Sequence, residues 1–151
     1  TVLETDFELL IPDEYVGNIS ERIALYKALD DMEKEEEIQK FSKDLEDRFG
    51  PIPKPVIQLI DTMRLRWKAR EIGFEKLVLK SGKMIGYFIS KQDSPFYQSE
   101  AFTRILNFIK LNPVAGKMYE KDDTLRIAFP EVPNMDKANR LLNALAEGSK
   151  L

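Results

Sequence analysis

The residues able to do chemistry are carboxylates, lysines, arginines and tyrosines, because the 151-residue sequence contains no cysteine and no histidine. That absence removes thiolate and imidazole metal ligands, disulfides, cysteine nucleophiles and serine–histidine triads together. A magnesium or calcium site built from carboxylates alone stays open, but the acidic residues lie along helical patterns and none has EF-hand spacing. For acid–base catalysis the remaining candidates are Glu100, Tyr119, Asp122 and Asp123, which would have to share one pocket. Each has a plainer account: Glu100 begins a helical pattern, the two aspartates sit in a turn, and Tyr119 belongs to a strand pattern. Nor is Ser81-Gly82-Lys83 a phosphate loop, since the surrounding Gly-x-x-x-x-Gly-Lys-Ser/Thr layout is missing. An orphan enzyme is therefore the weakest reading.

Two charged groupings suit binding better than catalysis. Asp44 and Asp47, followed by Arg48, are one helical turn apart and project together, so they could offer paired negative charge to an arginine on a partner. The plainer account is an intrahelical network with Lys40, Lys43 and Arg48, worth roughly 0.2–0.5 kcal/mol per pair. Arg64, Arg66, Lys68 and Arg70 flank Trp67 and suggest a nucleic-acid surface combining stacking with phosphate contacts. On a helix, however, Arg64 and Lys68 lie on one side and Arg66 and Arg70 on another. Their alkyl stems would then cover apolar surface while the charges balance the helix C-terminus. Net charge is only −3, so the chain as a whole has no electrostatic draw toward phosphates. The acidic run Asp30, Asp31, Glu33, Glu35, Glu36 and Glu37 reads as a solvated junction near the positive end of the next helix.

The elements that must hold these residues converge on the stretch 44–72. A helix over 34–49 buries Ile38, Phe41, Leu45 and Phe49; Gly50 then suits a C-terminal cap, and Pro51 and Pro53 forbid continuation. The next helix starts near Pro55, with Val56, Ile60, Met63 and Trp67 on its inner stripe, widened by Ile57, Leu59 and Ile72. Upstream, Phe7 to Ile11 reads as a strand or an extended segment, and a helix capped either by Asn18, with Glu21 at capping-box spacing, or by Ser20 buries Ile23, Tyr26, Leu29 and Met32.

After a cap at Gly73, strand patterns 77–80 and 84–90 flank the Ser81-Gly82-Lys83 turn, with Gly86 read as a bulge. A helix over 96–111 then carries Phe102, Ile105, Leu106 and Ile109 inward. A second strand pair, 117–120 and 124–129, precedes a helix over 135–147 closed by Gly148. This order predicts one α+β domain over 1–151, with a largely antiparallel sheet built from hairpins and packed against several helices. Its parts are an extended entry over 1–16, a helical part over 18–73, and a hairpin-helix-hairpin-helix part over 74–151. Composition agrees, at 43% hydrophobic and 32% charged residues. No apolar run is long enough to span a bilayer and no signal-peptide layout is present, which suits a cytoplasmic protein, and a start without Met suggests a segment of a longer chain.

The ordered series IPDEYVGNISERIALYKALDDM, LEDRFGPIPKPV and AREIGFEKL resembles the C-terminal domain of the bacterial transcription-repair coupling factors, most densely from Leu10 to Leu77. The resemblance implies a noncatalytic regulatory domain of an ATP-driven double-stranded DNA translocase that displaces stalled RNA polymerase and recruits nucleotide excision repair. It implies no cofactor here, with ATP and Mg²⁺ confined to the motor domains of the parent. The implied partner is the UvrB-like module of the same parent chain, whose UvrA-binding surface the domain hides. UvrA, RNA polymerase and DNA are reached only through the parent, and no membrane is involved. Asp44 and Asp47, with Arg48 beside them, occupy the positions that would meet arginines of that module. The alternative is a small DNA- or polymerase-binding module using Arg64, Arg66, Lys68 and Arg70.

Overall fold

A computed structural model describes all residues from Thr1 to Leu151. The chain forms two compact units, residues 8–64 and residues 1–7 together with 65–151.

The unit of residues 8–64 contains helices α1 (Ile19–Asp30) and α2 (Glu35–Phe49) and the first part of α3 (Lys54–Ile72). Its buried side chains are Ile11, Val16, Leu29, Ile38, Phe41, Leu45, Val56, Ile60 and Met63. On α2 these fall at steps of three and four, so one stripe is apolar and the opposite face is free to carry charge. Helix α1 starts where the Asn18 side chain accepts the Glu21 amide, which satisfies one of the first-turn donors. Pro55 falls in the first turn of α3, where the missing N–H costs nothing.

Of the two readings of the run from Phe7 to Ile11, the strand does not form. Two expectations need correction in these elements. Ile23 is 51% exposed instead of buried: on α1 it lies beside the exposed Ile19 at one edge of a broad apolar arc, and the buried Leu29 lies toward the other edge. Ile57 is likewise 46% exposed, leaving Val56, Ile60 and Met63 to fill the core of this unit from α3.

The other unit is built on a five-stranded sheet: β1 (Val2–Thr5), β2 (Lys76–Lys80), β3 (Lys83–Tyr87), β4 (Lys117–Lys121) and β5 (Thr124–Phe129), in the order β1-β2-β3-β5-β4. Every pairing is antiparallel except β1 with β2. With α4 (Glu100–Leu111) and α5 (Met135–Glu147) in the same unit, this is the α+β architecture with a mostly antiparallel sheet that the sequence implies. Both hairpins close through two residues of positive φ, Ser81 at 54° with Gly82 at 71°, and Asp122 at 53° with Asp123 at 60°. That is the turn geometry whose twist matches paired strands. Glu4 on β1 answers Lys76 at 3.2 Å and Lys80 at 3.5 Å on β2, and these lysines hold its carboxyl below the usual range.

Register lines Leu77, Gly86 and Ile127 into one buried row, and Leu79, Met84 and Phe129 into the next. Ile105 and Phe108 of α4 and Ala138, Leu141, Leu142 and Leu145 of α5 complete this core. Gly86 is not a bulge. It pairs in regular register, and its lack of a side chain makes room for the ring of Phe74, one atom of which lies 2.3 Å from where a Cβ would stand. The helix expected over 96–111 is also divided: Pro95–Gln98 is a 3₁₀ turn, and Ser99 caps α4 by accepting the Phe102 amide. Leu106 is 47% exposed, and Phe108 takes the inward position expected of it.

Candidate functional site

Within residues 8–64, the end of α2 is fixed by contacts that leave its acidic face outward. The Tyr15 phenol donates to the carbonyl oxygen of Gly50 at 2.8 Å and lies 3.3 Å from that of Leu45, so it ties the entry segment to the last turn of α2. Its ring packs against Phe49 at 5.7 Å between centroids. Burial, assisted by the nearby Glu46 carboxylate, pushes the phenol above its ordinary value of 10.0. Arg22 donates to the Val16 carbonyl at 2.6 Å, and the Ile11 amide donates to the Tyr26 hydroxyl at 2.7 Å. The entry segment is thus anchored at three points by groups whose polar atoms would otherwise lose water without replacement.

Arg48 is committed inside the same unit. Its Nη2 lies 2.6 Å from Oε1 of Glu21 on α1, and its guanidinium sits 4.7 Å from the centre of the Phe49 ring. Asp44 and Asp47 are exposed and form no ion pair or hydrogen bond. The intrahelical network with Lys40, Lys43 and Arg48 does not form: each lysine precedes its aspartate by four residues, the less favourable orientation, and Arg48 is already paired with Glu21. Asp44, Glu46 and Asp47 therefore crowd the end of α2 where the backbone carbonyls already carry partial negative charge. The Glu21–Arg48 pairing was not legible beforehand, since Glu21 carried a capping-box signal and its carboxylate turns instead to α2.

The basic residues of α3 are placed quite differently. Arg64 is gripped by Glu35, with Nε at 2.7 Å from Oε1 and Nη2 at 3.0 Å from Oε2, and its Nη1 reaches Asp61 at 2.7 Å. These carboxylates hold the guanidinium pKa up. Arg66 and Lys68 are half-buried and Arg70 is exposed. Arg64 belongs to the unit of residues 8–64, and the other three to the sheet unit.

The catalytic candidates do not converge. Asp123 lines a cleft of about 240 Å³ with Ile89, Gln92, Tyr97, Glu120 and Leu125. Glu100 and Tyr119 do not line it; Glu100 starts α4 and lies 3.8 Å from Arg104, while Asp122 lies 3.9 Å from Arg126. No group of three acidic residues is arranged to hold a metal ion. No helix is long and apolar enough to cross a membrane.

A family model described as the TRCF domain matches residues 5–99, which include the acidic pair and the basic segment. The chain belongs to the TRCF-domain family. Its relatives include the transcription-repair-coupling factor of Escherichia coli (strain K12), 35% identical over 81 residues that make up 51% of this chain and 7% of that protein. The factor of Borreliella burgdorferi is 25% identical over 138 residues, 91% of this chain and 12% of the relative. That of Rickettsia bellii is 28% identical over 143 residues, 92% and 12%. The TRCF domain described here thus spans roughly a tenth of the length of these proteins, between 7% and 12%. Among solved structures, a crystal structure of the C-terminal domain of a transcription-repair coupling factor matches with a TM-score of 0.74 at 16% identity, covering 97% of this chain and 88% of that one. The fold likeness therefore extends through β4, β5 and α5, beyond the stretch matched by the family model.

Proposed function

We propose that this TRCF domain is the noncatalytic, regulatory C-terminal domain of a cytoplasmic transcription-repair coupling factor. In this reading the parent chain is an ATP-driven double-stranded DNA translocase that displaces stalled RNA polymerase and recruits nucleotide excision repair. ATP and Mg²⁺ serve its motor domains. The acidic end of α2 docks on arginines of the UvrB-like module of the same parent, hides the surface that would bind UvrA, and restrains the motor until polymerase is engaged.

The observation that carries this reading is the state of Asp44 and Asp47: exposed, unpaired, and at the end of α2 that least favours negative charge. Arginines supplied by a partner would relieve that repulsion and gain charge-assisted hydrogen bonds, a contact of matched shape and sign. Arg48, paired with Glu21, positions the helix end in this scheme instead of meeting the partner. A DNA-binding role for Arg64, Arg66, Lys68 and Arg70 has less support, because Glu35 and Asp61 already neutralise Arg64.

The test is made in the full-length parent. Asp44→Ala with Asp47→Ala should raise basal ATPase activity and UvrA binding, and charge reversal of the facing arginines should do the same. Wild-type behaviour in both assays, with the variant folded, would overturn the reading.

A further inference from the structure

Away from α2, the cleft beside the β4–β5 turn has a chemistry of its own. One wall is the ring of Tyr97, whose hydroxyl donates to the Ile89 carbonyl and thereby joins the 3₁₀ turn to the segment after β3. Edge-on contacts of Tyr97 with Phe96 at 5.4 Å and Phe102 at 5.1 Å hold that ring in place. Ile89 and Leu125 supply further apolar surface. The polar groups are Glu120, Asp123 and the Gln92 amide, which donates to Glu120 at a long 3.3 Å.

No cation answers these two carboxylates. Neither forms an ion pair, and Arg126, the nearest guanidinium along the hairpin, lies 4.7 Å over the Tyr87 ring and turns its Nη2 to the Lys121 carbonyl and to Asp122. Burial first, then the charges of Glu75 and Glu120, raise the Tyr97 phenol above 10.0. Tyr97 therefore stays protonated and keeps its hydrogen bond.

We propose that this cleft binds an alkyl guanidinium or alkyl ammonium group, its stem against Tyr97, Ile89 and Leu125 and its charged head between Glu120 and Asp123. Such a group combines an apolar stem with a multidentate cation, which matches apolar walls rimmed by carboxylates. The cleft volume of about 240 Å³ is large enough for such a group. The cation comes either from a basic side chain of a polypeptide or from a free small amine, and the two sources are separable. The proposal is independent of any docking role for α2.

The experiment follows backbone amide shifts of the ¹⁵N-labelled chain during titration with n-butylguanidinium chloride and, separately, with acetyl-Gly-Arg-Gly-amide, each against a potassium chloride control. Saturable shifts confined to residues 89–97 and 118–125 are expected, with dissociation constants on the order of 1 mM. Glu120→Gln with Asp123→Asn should weaken both about tenfold or more, and Asn tolerates the positive φ of position 123. Tighter binding of the tripeptide supports a polypeptide source; equal or weaker binding supports a free amine. Shifts that fail to saturate, or that persist at full strength in the double variant with an otherwise unchanged spectrum, would discard the proposal.

Discussion

At the C-terminal end of α2 the backbone carbonyls already concentrate negative charge, so Asp44 and Asp47 work against the stability of the chain that carries them. Neutralising them at nearly constant helix propensity, as Asp44→Asn with Asp47→Asn, should stabilise the free chain by about 0.3 kcal/mol, chiefly through Asp47 in the last turn, and less where salt screens the site. Urea denaturation reads this directly, and a lowered midpoint would contradict it. Under the proposed docking role the same variant should dock more weakly, so stability and docking would move in opposite directions. Tyr15 offers a second check. Because burial raises its folded pKa above 10.0, its contribution is fully present below that pH and is lost as pH climbs through the raised value; Tyr97 behaves alike. Tyr15→Phe should cost about 1 kcal/mol near neutrality, through loss of the bond to Gly50. Combined with Tyr97→Phe it should flatten the decline above pH 10, and an unchanged alkaline slope would refute the assignment.

The elements differ in how far they could be foreseen, and the reasons are physical. Helix α5 was legible over its full extent because Ala138, Leu141, Leu142 and Leu145 share one face and Gly148 marks its end, with φ of 68° and the Arg104 backbone only 2.8 Å from a would-be Cβ. The hairpins were legible because their turns need residues tolerant of positive φ, and Ser81-Gly82 and Asp122-Asp123 supply them. Strand β1 was not, since four residues paired in parallel with a distant strand leave no local turn signal. The outward position of Ile23 escaped notice because Ile19, Ile23, Tyr26 and Leu29 share one broad apolar arc on α1, and spacing alone cannot say which edge of that arc is covered. At the candidate site the spacing of Asp44 and Asp47 was visible, whereas the diversion of Arg48 to Glu21 depends on a neighbour twenty-seven positions away. Gly86 shows how a single missing methyl can be a packing requirement. Gly86→Ala should destabilise the sheet unit by about 1–3 kcal/mol, because the new Cβ would overlap the fully buried Phe74 ring. Near-wild-type denaturation would mean that the ring has room to shift.

At the scale of the whole chain, 23 basic against 26 acidic residues leave a net charge of −3, and the most clustered cations are already partly neutralised by Glu35 and Asp61. Counterion release, which drives nonspecific DNA binding, has little to act on. The isolated chain should therefore leave a labelled duplex unshifted at low ionic strength. A salt-sensitive shift abolished by Arg66→Ala with Arg70→Ala would restore the basic segment as a binding surface.

The parallel pairing of β1 with β2 has a consequence for how this polypeptide comes into being. A ribosome releases Val2 and Leu3 long before Lys76 and Leu77 exist, so β1 has no partner in this sheet while helices α1, α2 and α3 emerge. Closing so large a loop makes it a late event in assembly, and an unpaired apolar strand invites association with other nascent chains in the interval. Brevity and the charge on Glu4 limit that hazard, and Lys76 and Lys80 provide the attraction that gathers the strand in once they arrive.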